Sequence, residues 1–274
     1  MRPFARRRQL LALFAATPVA TGLRDVGAQP APAATIAAAS DLKFALEEVI
    51  ALFERETGQP LRVSYGSSGQ FFSQILQGAP FHVFLSADES FVFRLADAGR
   101  TRDRGRLYAY GRIGLFVGLR SPLKADGSLK DLAASLKDGR VRKFAIASPE
   151  HAPYGMRARE ALQHVGLWQA ILPRLVFGEN VSQAAQFVTS GAAEGGIIAY
   201  SLARAPQLAQ AGRFDLISEA WHQPLAQRVV LLKDAPRAAV EFYDFLTTPR
   251  VQAILMRYGF TPPQSSTLTP TAPR

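Results

Sequence analysis

From Ala33 onward, short apolar runs alternate with stretches whose apolar residues recur at helical spacing, the pattern of an α/β fold in which strands feed helices. Ile36 to Ala39 is one such run. Ser40 and Asp41 then open a segment that puts Leu42, Leu46, Val49, Ile50 and Phe53 on one helical face and closes at Gly58. This spacing predicts a strand followed by a helix, with Ser40 as the helix cap. A second unit repeats the scheme. Leu61, Val63 and Tyr65 alternate as a strand, Gly66-Ser67-Ser68-Gly69 turns, and Phe71, Phe72, Ile75 and Leu76 form the next apolar face before Gly78. Phe81 to Leu85 is expected to be a third buried strand, and Glu89 to Ala98 a helix ended by Gly99.

Further along, Ile113, Leu115, Val117 and Leu119 alternate strictly, and a helix around Leu129, Leu132 and Leu136 leads to a strand at Phe144 to Ala147. The loop from Ser148 to Pro153 delivers Tyr154 and Gly155 to a new helix. Leu175 to Phe177 reads as a strand, Asn180 as the cap of a helix carrying Val181, Ala184, Ala185 and Val188, and Gly196 to Ala199 as another apolar run. Neither an internal repeat nor a low-complexity linker separates the halves, so the boundaries are expected in crossover strands near Tyr110 to Gly118 and Phe214 to Val230. The C-terminal helices, with Val240, Phe242, Phe245, Ile254 and Leu255, would return to the first lobe. The expected organisation is lobe one from residues 33–110 plus 226–264, lobe two from 111–225, and a mobile tail at 265–274.

The extreme N-terminus differs in kind. Arg2, Arg6, Arg7 and Arg8 precede an apolar run from Leu10 to Ala16, well short of the roughly 20 residues that span a bilayer. Residues 1–28 therefore read as a signal peptide, and the Arg7-Arg8 pair suits a twin-arginine route as well as the ordinary secretory one. These residues hold five arginines and one aspartate, so without them the net charge is +6 rather than +10. The remaining positive charge is scattered and lacks the basic, aromatic stripe of a nucleic-acid surface. With no cysteine in 274 residues, disulfides, thiolate metal sites, thiol nucleophiles and a lipid anchor on cysteine are all excluded.

Enzymatic motifs are missing. Gly66-Ser67-Ser68-Gly69 is not a nucleophile elbow, and neither serine can be assigned an acid and histidine partner, which weighs against a periplasmic serine hydrolase. His82, His151, His164 and His222 show no compact metal spacing, and no phosphate-loop or dinucleotide fingerprint is present. What recurs is a small polar residue where a strand runs into a helix. Ligands of open α/β sheets bind there, against free N–H groups. Each helix start presents roughly +0.5 of a charge, so four converging starts offer about +2 without any lysine or arginine. The hydroxyls of Ser40 and Ser68 can donate to the same anion.

The chain resembles the periplasmic molybdate-binding proteins of ABC importers. The resemblance rests on Ala37-Ala38-Ala39-Ser40-Asp41-Leu42, Gly66-Ser67-Ser68-Gly69 with Gln74-Ile75, Gly78-Ala79-Pro80-Phe81 and Phe84-Leu85-Ser86-Ala87-Asp88. It resumes at Pro149 to Gly155 with Glu160-Ala161-Leu162, at Glu179-Asn180-Val181 and at Arg257-Tyr258-Gly259-Phe260. It implies a two-lobed α/β periplasmic solute-binding fold, each lobe a mostly parallel sheet flanked by helices, joined by crossover strands. It also implies molybdate or tungstate held between the lobes, without a cofactor or a bare metal ion, by the hydroxyls of Ser40 and Ser68 and the main-chain N–H groups of Tyr154 and Val181. A monomeric periplasmic protein delivering its ion to a membrane permease follows. Sulfate or phosphate on the same architecture is the nearer alternative, since fold alone does not choose the anion.

Two positions depart from the resemblance. Some relatives place a tyrosine hydroxyl on the anion where this chain has Ala199, with Tyr200 one position later. Many have an acidic residue where this chain has His82. His151 and Glu150, in the loop before Tyr154, are expected to orient that loop rather than to touch the anion.

Overall fold

Apolar runs and helical faces resolve, in a computed structural model that describes residues 33–263, into ten strands and eleven α-helices among the described residues. The expected signal peptide and C-terminal tail lie outside the described residues. The strands are β1 (Ala34–Ala39), β2 (Leu61–Gly66), β3 (Val83–Ser86), β4 (Arg106–Gly111), β5 (Ile113–Gly118), β6 (Phe144–Ala147), β7 (Leu175–Gly178), β8 (Gly195–Ala199), β9 (Gly212–Leu216) and β10 (Leu225–Leu231). The helices are α1 (Lys43–Thr57), α2 (Ser68–Leu76), α3 (Glu89–Asp97), α4 (Lys130–Asp138), α5 (Pro153–His164), α6 (Trp168–Ile171), α7 (Val181–Thr189), α8 (Tyr200–Ala203), α9 (Pro206–Ala211), α10 (Arg237–Phe245) and α11 (Pro249–Arg257).

The strands form two five-stranded sheets, ordered β2-β1-β3-β10-β4 and β7-β6-β8-β5-β9. In the first, β2, β1 and β3 run parallel while β10 joins β3 and β4 antiparallel. The second repeats this plan, with β7, β6 and β8 parallel and β5 antiparallel to β8 and β9. The chain passes from one sheet to the other at Arg112, between β4 and β5, and returns between β9 and β10. Parallel strands joined by helices put every strand's carboxyl end, and hence every helix start, on one edge of the sheet.

Local chemistry explains where the helices begin and end. Gly58, at φ 68°, closes α1 in the left-handed conformation that glycine adopts without strain. Asn180 caps α7 by accepting the Gln183 N–H at 3.1 Å, and Asp88 caps α3 by accepting the Ser90 N–H at 2.9 Å. Ser40 does not cap a helix. It begins a short 3₁₀ turn, Ser40–Leu42, that precedes α1, and it makes no side-chain cap bond there. Likewise Ser67, not Ser68, caps α2, through the Gln70 N–H. The two serines of interest are thereby freed from capping.

Alternation along β5 is only apparent, because the strand lies between β8 and β9 inside its sheet and is buried on both faces from Ile113 to Val117. Leu119 lies past its end and is 64% exposed. Each sheet has its own apolar core. In the first, the edge-on rings of Phe53 and Phe242, 5.3 Å apart, tie α1 to α10. Phe242 is fully buried. Replacing it with alanine is expected to lower unfolding stability by about 3–5 kcal/mol, to be read from denaturant titrations of the two proteins.

Candidate functional site

A small cavity lies where the carboxyl ends of the two sheets face one another. Ala39, Ser40, Asp41, Gly66, Ser67, Ser68 and Ala87 line it from the first sheet's side, and Ala152, Pro153, Tyr154, Asn180 and Val181 from the second. All four residues expected at the site, Ser40, Ser68, Tyr154 and Val181, border this one space. Its volume is about 10 Å³, far below the roughly 300–1,000 Å³ of pockets for drug-sized ligands. Its size suits an ion of a few atoms. A larger hollow of about 550 Å³, lined by Leu107, Tyr110, His222 and Pro263 among others, lies by the segments that pass between the sheets. No α-helix starts among its lining residues, so its size confers no comparable chemistry.

Around the small cavity, the helix starts are accounted for bond by bond. At α7, the N–H groups of Ser182, Gln183 and Ala184 go to Ser40 Oγ, Asn180 Oδ1 and the Asn180 carbonyl. Val181 keeps the one N–H of that first turn without an acceptor among the described residues. At α2, the N–H groups of Gly69, Gln70 and Phe71 go to the His151 carbonyl, Ser67 Oγ and the Ser67 carbonyl. Ser68 is left in the same position. In α5, Pro153 occupies the first helical position and has no N–H, so Tyr154 supplies the first donor. These are the orphan donors that any helix start must place somewhere.

The serine hydroxyls are polarised the same way. Ser68 Oγ accepts the Ala87 N–H at 3.0 Å, and Ser40 Oγ accepts the Ser182 N–H at 3.3 Å. With an acceptor lone pair of each oxygen engaged by the main chain, each O–H proton remains available to a ligand. Ser68 is wholly buried and Ser40 is 3% exposed. No lysine or arginine lines the cavity. The arrangement therefore offers hydrogen-bond donors and helix-start dipoles to a small anion, and no charge that would hold it by salt-bridge formation.

Asp41 is the single carboxylate among the lining residues. Its Oδ2 accepts the Tyr154 hydroxyl at 2.9 Å and the Gln227 amide at 2.6 Å. Burial pushes its pKa up to about 6, against the lowering effect of those hydrogen bonds. A second buried acid–base contact crosses between the sheets nearby. Arg157 of α5 donates to Asp88 Oδ2 and to Glu160 Oε1, both at 2.6 Å.

Residues 34–261 match the family described as bacterial extracellular solute-binding protein. The chain belongs to this family. It is 36% identical over 238 residues to the molybdate-binding protein ModA of Rhodobacter capsulatus, covering 85% of this chain and 90% of that protein. ModA of Azotobacter vinelandii is 33% identical over 243 residues, covering 87% and 93%. The solved periplasmic molybdate-binding protein of Azotobacter vinelandii superposes with a TM-score of 0.77 at 28% identity, covering 84% of this chain and all of that one. Both relatives are substrate-binding proteins. The two sheets with their flanking helices are thus the two lobes of a periplasmic binding-protein fold.

Within that solute-binding fold, Tyr200 does not inherit a place in the cavity. Its ring stacks on Phe214 at 5.3 Å and packs against Gly259, where an added Cβ would come within 2.4 Å of it. Ala199 is fully buried at the end of β8. His82 Nδ1 accepts the Thr35 N–H at 2.9 Å, tying the start of β1 to the segment before β3, and burial lowers its pKa. His151 orients its loop, with its carbonyl on the Gly69 N–H and its Nδ1 2.9 Å from Ser67 Oγ. Glu150 is exposed.

Sequence reasoning missed Asp41, Gln227, Ser182 and Ser201 as parts of the site's frame. Ser182 Oγ donates to the Ser40 carbonyl and Ser201 Oγ to the Asp41 carbonyl, each at 2.8 Å. One signal was present: an aspartate just past the apolar run Ile36 to Ala39 and directly before Leu42 is a charge about to be buried, and it needs partners.

Two outcomes follow from this geometry. Asp41 is raised in the folded protein above its unfolded value of about 4, so the folded state holds the extra proton between about pH 4 and 6. Its contribution is fully present below pH 4 and is lost as pH rises to about 6, up to roughly 3 kcal/mol. The stability of Asp41→Asn should lack this step, read as the difference between the two proteins in thermal unfolding across that range. Gly69 approaches the opposite lobe so closely that a Cβ would lie 2.5 Å from the His151 carbonyl oxygen. Gly69→Ala is therefore expected to keep the cleft from closing, read as a larger radius of gyration in solution scattering.

Proposed function

We propose that this chain captures molybdate, and tungstate with it, in the periplasm and delivers the ion to the permease of an ABC importer. The observation that carries the reading is the set of donors without acceptors: Ser40 and Ser68 hydroxyls and the Tyr154 and Val181 N–H groups, all facing one cavity of about 10 Å³. A fully deprotonated tetrahedral oxyanion only accepts hydrogen bonds, and four donors from four directions suit it. Desolvating such a dianion without compensation would cost tens of kcal/mol, so the convergence of helix starts is the energetic requirement for binding. Molybdate is favoured over other oxyanions because the relatives at 33–36% identity are molybdate-binding proteins. The one lining serine beside a histidine, Ser67, with its Oγ 2.9 Å from His151 Nδ1, is engaged as the cap of α2, and the chain acts as a carrier, not an enzyme.

The lobes of residues 33–110 with 226–264 and of 111–225 would close on the ion as units, each supplying half of the donors. A monomer suffices, since the donors of the site all come from one chain. Export by the N-terminal segment 1–28 would place the protein where the ion is scavenged.

Isothermal titration of the chain from Ala33 onward with molybdate, tungstate, sulfate and phosphate in one buffer tests the reading. One-to-one binding of molybdate and tungstate without sulfate or phosphate is expected. Preference for sulfate or phosphate would reassign the ion. Ser40→Ala and Ser68→Ala should each weaken molybdate binding by about 10- to 100-fold, the range for a hydrogen bond to a charged partner, with the fold retained.

A further inference from the structure

Tyr154 is attached to both sides of the cleft. Its main-chain N–H belongs to the start of α5 in the second lobe and borders the cavity. Its phenol reaches the first lobe, donating to Asp41 Oδ2 at 2.9 Å and accepting from Gln227 Nε2 at 3.1 Å. The other Gln227 amide hydrogen goes to the same Asp41 oxygen at 2.6 Å, and Gln227 Oε1 accepts the Tyr108 hydroxyl at 2.7 Å. All four side chains are at most 3% exposed.

Three independent features build the receptacle for that phenol. The ladder between β10 and β4 shifts register between Gln227 and Arg228, and such a bulge re-aims the side chain beside it. Gly111, the last residue of β4 before the chain crosses to the second lobe, leaves the space the phenol enters. A Cβ there would lie 2.3 Å from Tyr154 Oη and 2.8 Å from Gln227 Nε2. Asp41 follows Ser40 directly, so the residue that receives the phenol is the neighbour of a cavity hydroxyl.

We propose that Tyr154 and Asp41 are positioning residues that latch the closed lobes, so that release of the bound ion requires this buried hydrogen bond to break. The inference rests on the ion-capture reading above for its ligand, and on the geometry alone for the latch. When the lobes part, water can satisfy Asp41, Gln227 and the phenol. When they close, each group must find its partner in the protein, because a buried polar group left unpaired is costly. The bond therefore exists only in the closed form and resists opening. Its effect belongs mainly in the rate of dissociation, as with most changes within one binding site.

Tyr154→Phe keeps the main-chain donor and removes the latch. Stopped-flow measurement with molybdate is expected to show dissociation faster by about 10-fold or more, with association changed by less than about 3-fold. Asp41→Ala, which leaves the phenol without its acceptor, should behave as Tyr154→Phe, and Asp41→Asn, which restores an acceptor, should release the ion more slowly than Asp41→Ala. The Tyr154→Phe, Asp41→Ala double variant should be no worse than either single one, since both remove one shared bond. Dissociation within 2-fold of the parent in Tyr154→Phe would overturn the latch.

Because the chain lacks cysteine, spin labels on Gln77→Cys and Lys137→Cys, exposed positions of the two lobes, report the opening directly. Ion-free Tyr154→Phe is expected to show longer inter-label distances than the ion-free parent, and identical distributions would also overturn the latch. A parent chain that binds no molybdate would remove the ion-capture reading, while these ion-free distances would still decide the latch.

Discussion

Every helix start leaves N–H groups that its own backbone cannot satisfy, and in this protein the starts of α2, α5 and α7 meet the 3₁₀ turn of Ser40 at one small cavity. The requirement that these donors face a common point governs the rest of the structure. Parallel strands in each sheet send their helix starts to one edge, and the two edges face each other because the chain crosses between sheets at Arg112 and returns before Leu225. The caps nearby take up the neighbouring N–H groups: Asn180 at α7 and Ser67 at α2. What remains uncapped is aimed at the cavity. A site of this kind holds negative charge with partial charges fixed in the backbone, which need no reorganisation when an ion enters.

The same constraint explains the close fit between the lobes. Donors from two sheets can serve one ion of a few atoms only if the lobes approach within a few ångströms, and the sequence is adapted to that approach. Gly69 lies against the His151 carbonyl, and Gly111 against the Tyr154 phenol, each with no room for a Cβ. Ser182 and Ser201 of the second lobe donate to the main-chain carbonyls of Ser40 and Asp41. Gln70 and Glu179 meet across the rim at 2.6 Å, and the Arg157–Asp88 pair crosses deeper in. Closure is thus enforced by directional bonds, with apolar cores kept largely within each lobe.

Asp41 shows how a carboxylate is tolerated beside a donor-only cavity. Two donors hold one of its oxygens, and burial favours its neutral form. Both effects reduce the repulsion it would exert on an anion. The aspartate thereby serves the contact between lobes and leaves the cavity's field to the helix starts.

Much of this was determined by the sequence itself. Apolar periodicity placed the strand and helix units, and the order of motifs from Ala37 to Phe260 located Ser40, Ser68, Tyr154 and Val181 at helix starts. These features are legible because they depend on neighbours within a few positions. The capping roles were not: Ser40 and Ser67 each stand where a cap residue could, and only the path of the chain decided that Ser67 caps and Ser40 does not. Strict alternation along β5 suggested one exposed face, but packing on both sides of its sheet buried both. The partners of Asp41, at positions 154 and 227, and the donor to Ser40 at position 182 are 113, 186 and 142 residues away in the chain. Such contacts leave no local pattern. Only the tertiary structure, by folding two sheets onto one cavity, brings those groups within hydrogen-bonding distance.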